Sequence, residues 1–245
     1  MLILAHLLKW DSKNVIIASS NRSMALDTFR QVAHVFENNE NLMATVKQIR
    51  YANGTESIEM KDGRRLDVVA ATRDGARGRS ADALFLDEIR EWSEDGYRAA
   101  MPVTRARGNA HSFLTSNAGD AFSTVLNQLR ERALDNPPKS FGFYEYSAPQ
   151  YCKIDDPKAW AMANPSLGIL ISEAAVEETI ATSTIIAART ETLCQWVSTG
   201  LTSPWTPGSW EDLADSELVM APGMHTMFAF DVDPHTRRQA SLVAG

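Results

Sequence analysis

The chain has 245 residues, an apolar fraction of 44% and a formal net charge of -7. That length can hold one large or two modest domains with a true core, and the acidic balance argues against a basic sleeve for nucleic acid, although Arg73, Arg77 and Arg79 form a local basic patch. The two cysteines, Cys152 and Cys194, lie outside any CxxC pattern and have no histidine pair near them, so neither a disulfide framework nor a zinc site is indicated and a reducing cytoplasm fits.

The opening run MLILAHLLKW lacks the basic start and small-residue cleavage site of a signal peptide and is too short to span a bilayer, so it reads as a buried helix. Residues 14–20 (NVIIASS) form a compact apolar strand of the kind that feeds a helix in a parallel sheet. That helix is expected over residues 23–36, with Ala25, Phe29, Val32, Ala33 and Phe36 on one face. Turn signals at Asn53-Gly54 and Asp62-Gly63 bracket residues 57–60 and lead into a strand over 65–71, which predicts a hairpin attached to the sheet. A loop over 72–80 carries glycines and the arginines of the basic patch.

Residues 83–88 (ALFLDE) are the most informative stretch. An apolar strand that delivers Asp87 and Glu88 to its C-terminal edge supplies what a nucleotide hydrolase needs: one acid to hold Mg²⁺ and one to activate water. A helix near 94–101, stopped by Pro102, separates it from a second strand of the same design, residues 112–116, which runs into Ser116-Asn117-Ala118-Gly119. A helix over about 121–134 follows, closed by Pro137-Pro138, and residues 141–146 read as a further strand. Strands alternating with helices predict an α/β fold, a doubly wound and mostly parallel sheet with helices on both faces.

Composition changes near Ser147. Residues 148–222 show helical runs at 172–183 and 185–197 and no strand alternation, as in a helical linker subdomain. Residues 227–233 (MFAFDVD) then restore a strand, and 227–232 are expected as an orphan edge with no partner. The expected organisation is 1–147, an incomplete ATPase domain; 148–222, the helical linker; and 223–245, the start of a further domain. The histidines His6, His34, His111, His225 and His235 show no ligand spacing.

In order along the chain, ADALFLDEIREW, FLTSNAG, WAMANPSLG and FAFDVDP resemble the large terminase subunit of tailed bacteriophages. The resemblance implies a DNA-packaging protein with an N-terminal ATPase domain of the P-loop NTPase kind and a C-terminal nuclease of RNase H-like fold. Asp87 then matches the Mg²⁺-holding acid and Glu88 the catalytic base. Thr115, Ser116 and Asn117 match the motif that senses the γ-phosphate and relays hydrolysis to DNA movement, and Asp231 matches the first metal-binding catalytic acid of the nuclease. Arg77 or Arg79 is placed as an arginine finger acting on a neighbour's γ-phosphate. ATP with Mg²⁺, and Mg²⁺ or Mn²⁺ for the nuclease, are the implied substrate and cofactors. The implied partners are double-stranded viral DNA, further copies in a ring, a portal protein and a small terminase subunit, in the host cytoplasm, with no membrane role.

Two features depart from the family pattern. No G-x-x-x-x-G-K-[ST] occurs in the sequence, so the phosphate-binding loop is missing. The later nuclease acids are missing too, and the expectation is a fragment that begins inside the helix after the phosphate loop and ends after the first nuclease strand. Each site also has a plainer reading. Asp87-Glu88 fits a polar cap on a buried strand, Arg77 and Arg79 fit solvated loop charges, Thr115-Ser116-Asn117 fits a helix cap, and Asp231 fits the start of a turn. A helicase-like ATPase and a non-catalytic remnant remain open as alternatives.

Overall fold

The computed structural model describes residues 1–10, 12–70, 78–197, 228–232 and 240–244, the last two segments as backbone strands. The chain divides into two compact units, Met1–Thr202 and Ser203–Gly245.

The first unit opens with α1 (Leu2–Leu8), which buries Ile3, His6 and Leu7 as its apolar run requires. β1 (Asn14–Ser19) follows, and α2 (Arg22–Glu37) is started by Asn21, whose side chain accepts from the Ser23 backbone N–H. Capping of this kind satisfies a donor that a helix start otherwise leaves unpaired. The apolar face of α2 is the expected one: Ala25, Phe29, Val32, Ala33 and Phe36 are buried. A short α3 (Glu40–Met43) leads to β2 (Val46–Arg50), β3 (Ser57–Met60) and β4 (Arg65–Ala70), and the acidic strand is β5 (Ala83–Asp87). After it come α4 (Glu94–Ala100), β6 (His111–Leu114) and α5 (Thr124–Asp135).

These strands form one six-stranded sheet in the order β2-β3-β4-β1-β5-β6. β1 runs parallel to β4 and β5, and β5 parallel to β6, whereas β2, β3 and β4 pair antiparallel. Alternate residues of β1 serve opposite faces. Val15 and Ile17 join α1 and α2 in one core with Phe29, Phe36 and Leu66, while Ile16 and Ala18 pack with Leu84, Leu86, Val103 and Val125 in the other. The doubly wound reading and the attached hairpin strand are therefore correct.

Residues 141–146 depart from expectation, because residues 141–149 form no strand. Alternation alone makes no strand without a neighbour to accept its hydrogen bonds. β6 is the last strand on that side of the sheet.

Past that segment, α6 (Pro157–Ala163), α7 (Glu173–Thr182) and α8 (Ile185–Ala187) build a small core of Ala148, Ala159, Trp160, Ala163, Val176 and Leu193. The helical run expected over 185–197 stops early: α8 continues as a π-helical turn over Ala188–Thr192, and Cys194 takes a positive φ of 48°. Trp160 and Asn164 of the WAMANPSLG segment are structural. The Trp160 indole donates to the Ile154 carbonyl at 2.7 Å, and the Asn164 amide donates to the Thr192 carbonyl at 3.0 Å.

In the second unit, β7 (Phe228–Val232) pairs antiparallel with β8 (Ala240–Ala244). The orphan edge expected at residues 227–232 is corrected, because residues 240–244 supply the pairing, with Asp231 in register with Ser241. Among the described residues no helix is long and apolar enough to cross a membrane.

Candidate active site

β5 brings Asp87 to the C-terminal edge of the sheet and β6 brings Thr115 to the same edge one strand over. Backbone and side chains then stitch the two strand ends together. The Thr115 N–H donates to the Leu86 carbonyl at 3.0 Å and the Ile89 N–H to the Thr115 carbonyl at 3.1 Å. The Thr115 hydroxyl donates to Asp87 Oδ1 at 2.6 Å, and the Arg90 N–H donates to Ser116 Oγ at 3.1 Å. The Trp92 indole closes the turn, donating to the Asp87 carbonyl at 2.8 Å.

Glu88 sits at the turn with φ 54° and ψ 52°, a left-handed conformation that a non-glycine residue rarely takes. The conformation turns the chain out of the strand directly after Asp87 and folds the Glu88 side chain inward. Its Oε2 is buried and takes no hydrogen bond among the described residues; the nearest cation is Arg90, whose Nε stands 3.5 Å away. Burial pushes the Glu88 carboxyl above its ordinary value; the Arg90 charge opposes this, and the acids Asp87, Glu191 and Glu91 add to it.

Arg90 is a hub. Besides Glu88 it faces Glu91 at 3.3 Å, and its Nη2 reaches Glu191 Oε1 at 2.5 Å. The other Glu191 oxygen accepts from the Asn117 side-chain amide at 2.8 Å. Neighbouring contacts extend this seam. A Cβ on Gly119 would lie 2.9 Å from both Ser123 Cβ and a Trp196 ring carbon, so only glycine permits this approach. Trp196 is also covered by the Arg130 guanidinium at 4.5 Å, and Arg130 in turn donates twice to Glu145, at 2.8 and 3.1 Å.

The sites expected from sequence are thus partly gathered. Asp87, Glu88, Thr115, Ser116 and Asn117 converge on one edge. Arg79 does not join them: it faces Asp67 on β4 at 3.6 Å with its side chain 41% exposed. Arg73 and Arg77 lie outside the described residues, and Asp231 is described only as a backbone position on β7. Arg90 and Glu191 were not singled out by sequence reasoning. Arg90 does stand two residues after Glu88, a signal that could have been used; Glu191 carries no local signal. No group of three or more potential metal-ligating side chains occurs among the described residues.

A single family model accounts for most of the chain. Residues 1–210 match the N-terminal region of the T4likevirus-type terminase large subunit, and the chain belongs to that family. No curated protein sequence matches it. Among solved structures it is similar to the HK97 bacteriophage large terminase, with a TM-score of 0.69 at 20% identity over 80% of this chain and 43% of that one. The large terminase of a thermophilic bacteriophage in complex with ADP gives 0.54 at 14% identity, covering 80% and 43%. The large terminase ATPase domain of Thermus phage P74-26 gives 0.51 at 13%, covering 80% of this chain and 81% of that domain. At such identities the likeness is one of fold. The chain spans under half the length of the first two of these proteins.

Proposed function

We propose that this chain is the ATP-hydrolysing part of a phage DNA-packaging motor, in which hydrolysis drives the movement of double-stranded DNA. The observation that carries this reading is the Asp87-Glu88 turn at the sheet edge, bonded through Thr115 to the next strand. The fold shared with the thermophilic bacteriophage large terminase solved with ADP supports an adenine nucleotide as ligand.

The residues present suit a Mg²⁺ ion. The Asp87 carboxylate and Thr115 hydroxyl are hard oxygen donors, and Glu88 Oε2 is left beside them without a hydrogen bond among the described residues. Asp87 would hold the ion, which when bound neutralises charge on the phosphates. Glu88 would take the proton of the attacking water, and its raised affinity for a proton suits a general base. Thr115, Ser116 and Asn117, tied both to Asp87 and to Glu191, would report the state of the nucleotide to the helical segment. Arg77 or Arg79 would act on a neighbouring copy in a homo-oligomeric ring; the Arg79 side chain, 41% exposed, is accessible for that.

Asp231 is proposed as the opening acid of an RNase H-like nuclease using Mg²⁺ or Mn²⁺, which gathers further carboxylates from other strands. A portal protein and a small terminase subunit would complete the assembly in the host cytoplasm. A second reading, a non-catalytic remnant, is favoured for residues 1–245 alone by the lack of a phosphate-loop motif. Both readings give the isolated chain background turnover. They separate when the phosphate loop is supplied in a longer chain. There, hydrolysis that appears with Mg²⁺ and is lost in Asp87→Asn supports the motor, and no turnover supports the remnant. Partial rescue on mixing Arg79→Ala with Glu88→Gln copies would support action in trans.

A further inference from the structure

Glu191 lies in the helical segment, far in sequence from both strand ends, yet its carboxylate is held at two points by the site. Oε1 takes the Arg90 guanidinium at 2.5 Å and Oε2 takes the Asn117 amide at 2.8 Å. Arg90 is 20% exposed at its side chain, and its Nε donates no hydrogen bond among the described residues. That Nε stands 3.5 Å from Glu88 Oε2, which is likewise buried and unbonded. Two complementary groups therefore face one another across a gap slightly too wide for a hydrogen bond.

A buried guanidinium N–H beside a buried carboxylate oxygen would ordinarily close to a short, charge-assisted bond, since an unpaired polar atom in such a place is costly. Something restrains it. Nη2 is anchored on Glu191, Nη1 reaches toward the Ala118 carbonyl at 3.5 Å, and Nε itself stands nearer the more exposed Glu91 carboxylate, at 3.3 Å, without a hydrogen bond to it. We infer that Glu191 is a positioning residue for the reaction. It draws Arg90 off Glu88, so that the charge is balanced while the Glu88 oxygen stays free to accept a proton from water. This rests on the proposal that Glu88 is the base.

The arrangement also joins the helical segment to the chemistry. Movement of the turn over Ala188–Thr192 would withdraw Glu191, release Arg90 onto Glu88 and block the base. Hydrolysis would then be possible only while the helical segment is docked on the Asn117 strand end.

The Arg90 Nε–H resonance of the 1–245 chain, assigned by Arg90→Lys, reads the first step directly. Glu191→Gln should move it downfield and slow its exchange with water as the bond to Glu88 forms. Glu191→Asp, which keeps the charge but shortens the reach, should shift it in the same direction, and it serves if the first variant does not fold. A resonance unmoved in the folded variant overturns the inference. In a longer chain supplied with a phosphate loop, Glu191→Gln should lower kcat on the order of tenfold, less than the roughly 10²–10⁴-fold that a general base contributes because the base is hindered and not removed, with KM for ATP unchanged. Adding Arg90→Gln should restore part of that loss. A double variant no faster than the single one overturns the inference, because a merely structural role predicts added damage. Should Glu88→Gln leave hydrolysis intact, the base assignment fails by itself, and the Nε–H readout still decides whether Glu191 holds Arg90.

Discussion

Glu88 combines a left-handed backbone with a carboxylate oxygen, Oε2, that is buried and takes no hydrogen bond among the described residues, two costs at one residue. Left-handed backbone costs a residue with a Cβ roughly 1–2 kcal/mol that glycine does not incur. Glu88→Gly should therefore be more stable than Glu88→Ala by about 1 kcal/mol, and melt about 2–4 °C higher, the reverse of the order found in helices and strands. A thermal melt of the two variants checks it, and an alanine variant that melts higher would show the turn to be unstrained. His6 gives a pH test away from the site. It is 2% exposed, bonded through Nδ1 to Ser12 Oγ at 2.7 Å and surrounded by the rings of Trp10, Phe85 and Phe113. Burial, and secondarily the charge of His111, lower its affinity for a proton below the ordinary value of 6.5. Between the lowered folded value and 6.5 the unfolded chain binds more protons, so stability falls as pH drops through that window and is fully present above it. Denaturant midpoints measured across the window should show a steeper loss for the native chain than for His6→Gln; parallel slopes would place His6 outside this linkage.

Among the elements, β5 both fills a core and delivers the acids, so damage to it should separate packing from chemistry. Leu84, fully buried between β1 and β6, should cost about 2–5 kcal/mol as Leu84→Ala, read from denaturant unfolding. A cost under about 1 kcal/mol would mean that the second core is less well packed than Val103 and Val125 make it. The strands at 14–19 and 83–87 were legible because each is an apolar run bounded by polar or turn residues, and a parallel strand buried on both faces must read that way. Residues 141–146 were misread because alternation records a side-chain pattern while a strand needs a pairing edge. The pairing of 228–232 with 240–244 was missed because the partner strands were expected outside these residues, although Asp233-Pro234 offered a turn signal and ASLVA follows it. That Asp87, Glu88 and Thr115 meet at one sheet edge was legible from the two strand ends. The pairing of Arg90 with Glu191 was not, because Glu191 carries no local signal and an ion pair between distant segments leaves no mark in the spacing of either.

For the whole molecule, the sheet order ranks the strands. β1 is hydrogen-bonded on both sides, to β4 and β5, whereas β2 and β6 are the outer strands. Amides of residues 14–19 should exchange more slowly than those of 46–50 and 111–114, since core strands open only with near-global unfolding. Equal rates across the three would contradict the order. Residues 228–232 should also exchange faster than 14–19, because a two-stranded hairpin is marginal in water. The chain should show no Mn²⁺-dependent cleavage of DNA, and nicking that vanishes in Asp231→Ala would mean a complete nuclease site is already present. In the function proposed for this chain, Glu88 is the base of an ATPase whose acid turn is built at the end of β5. That role is tested most directly by measuring nucleotide affinity and turnover together for Glu88→Gln in a longer chain supplied with a phosphate loop. Turnover should fall on the order of 10²-fold or more while affinity for ATP is largely kept. Undiminished turnover, or an equal loss of binding, would contradict it.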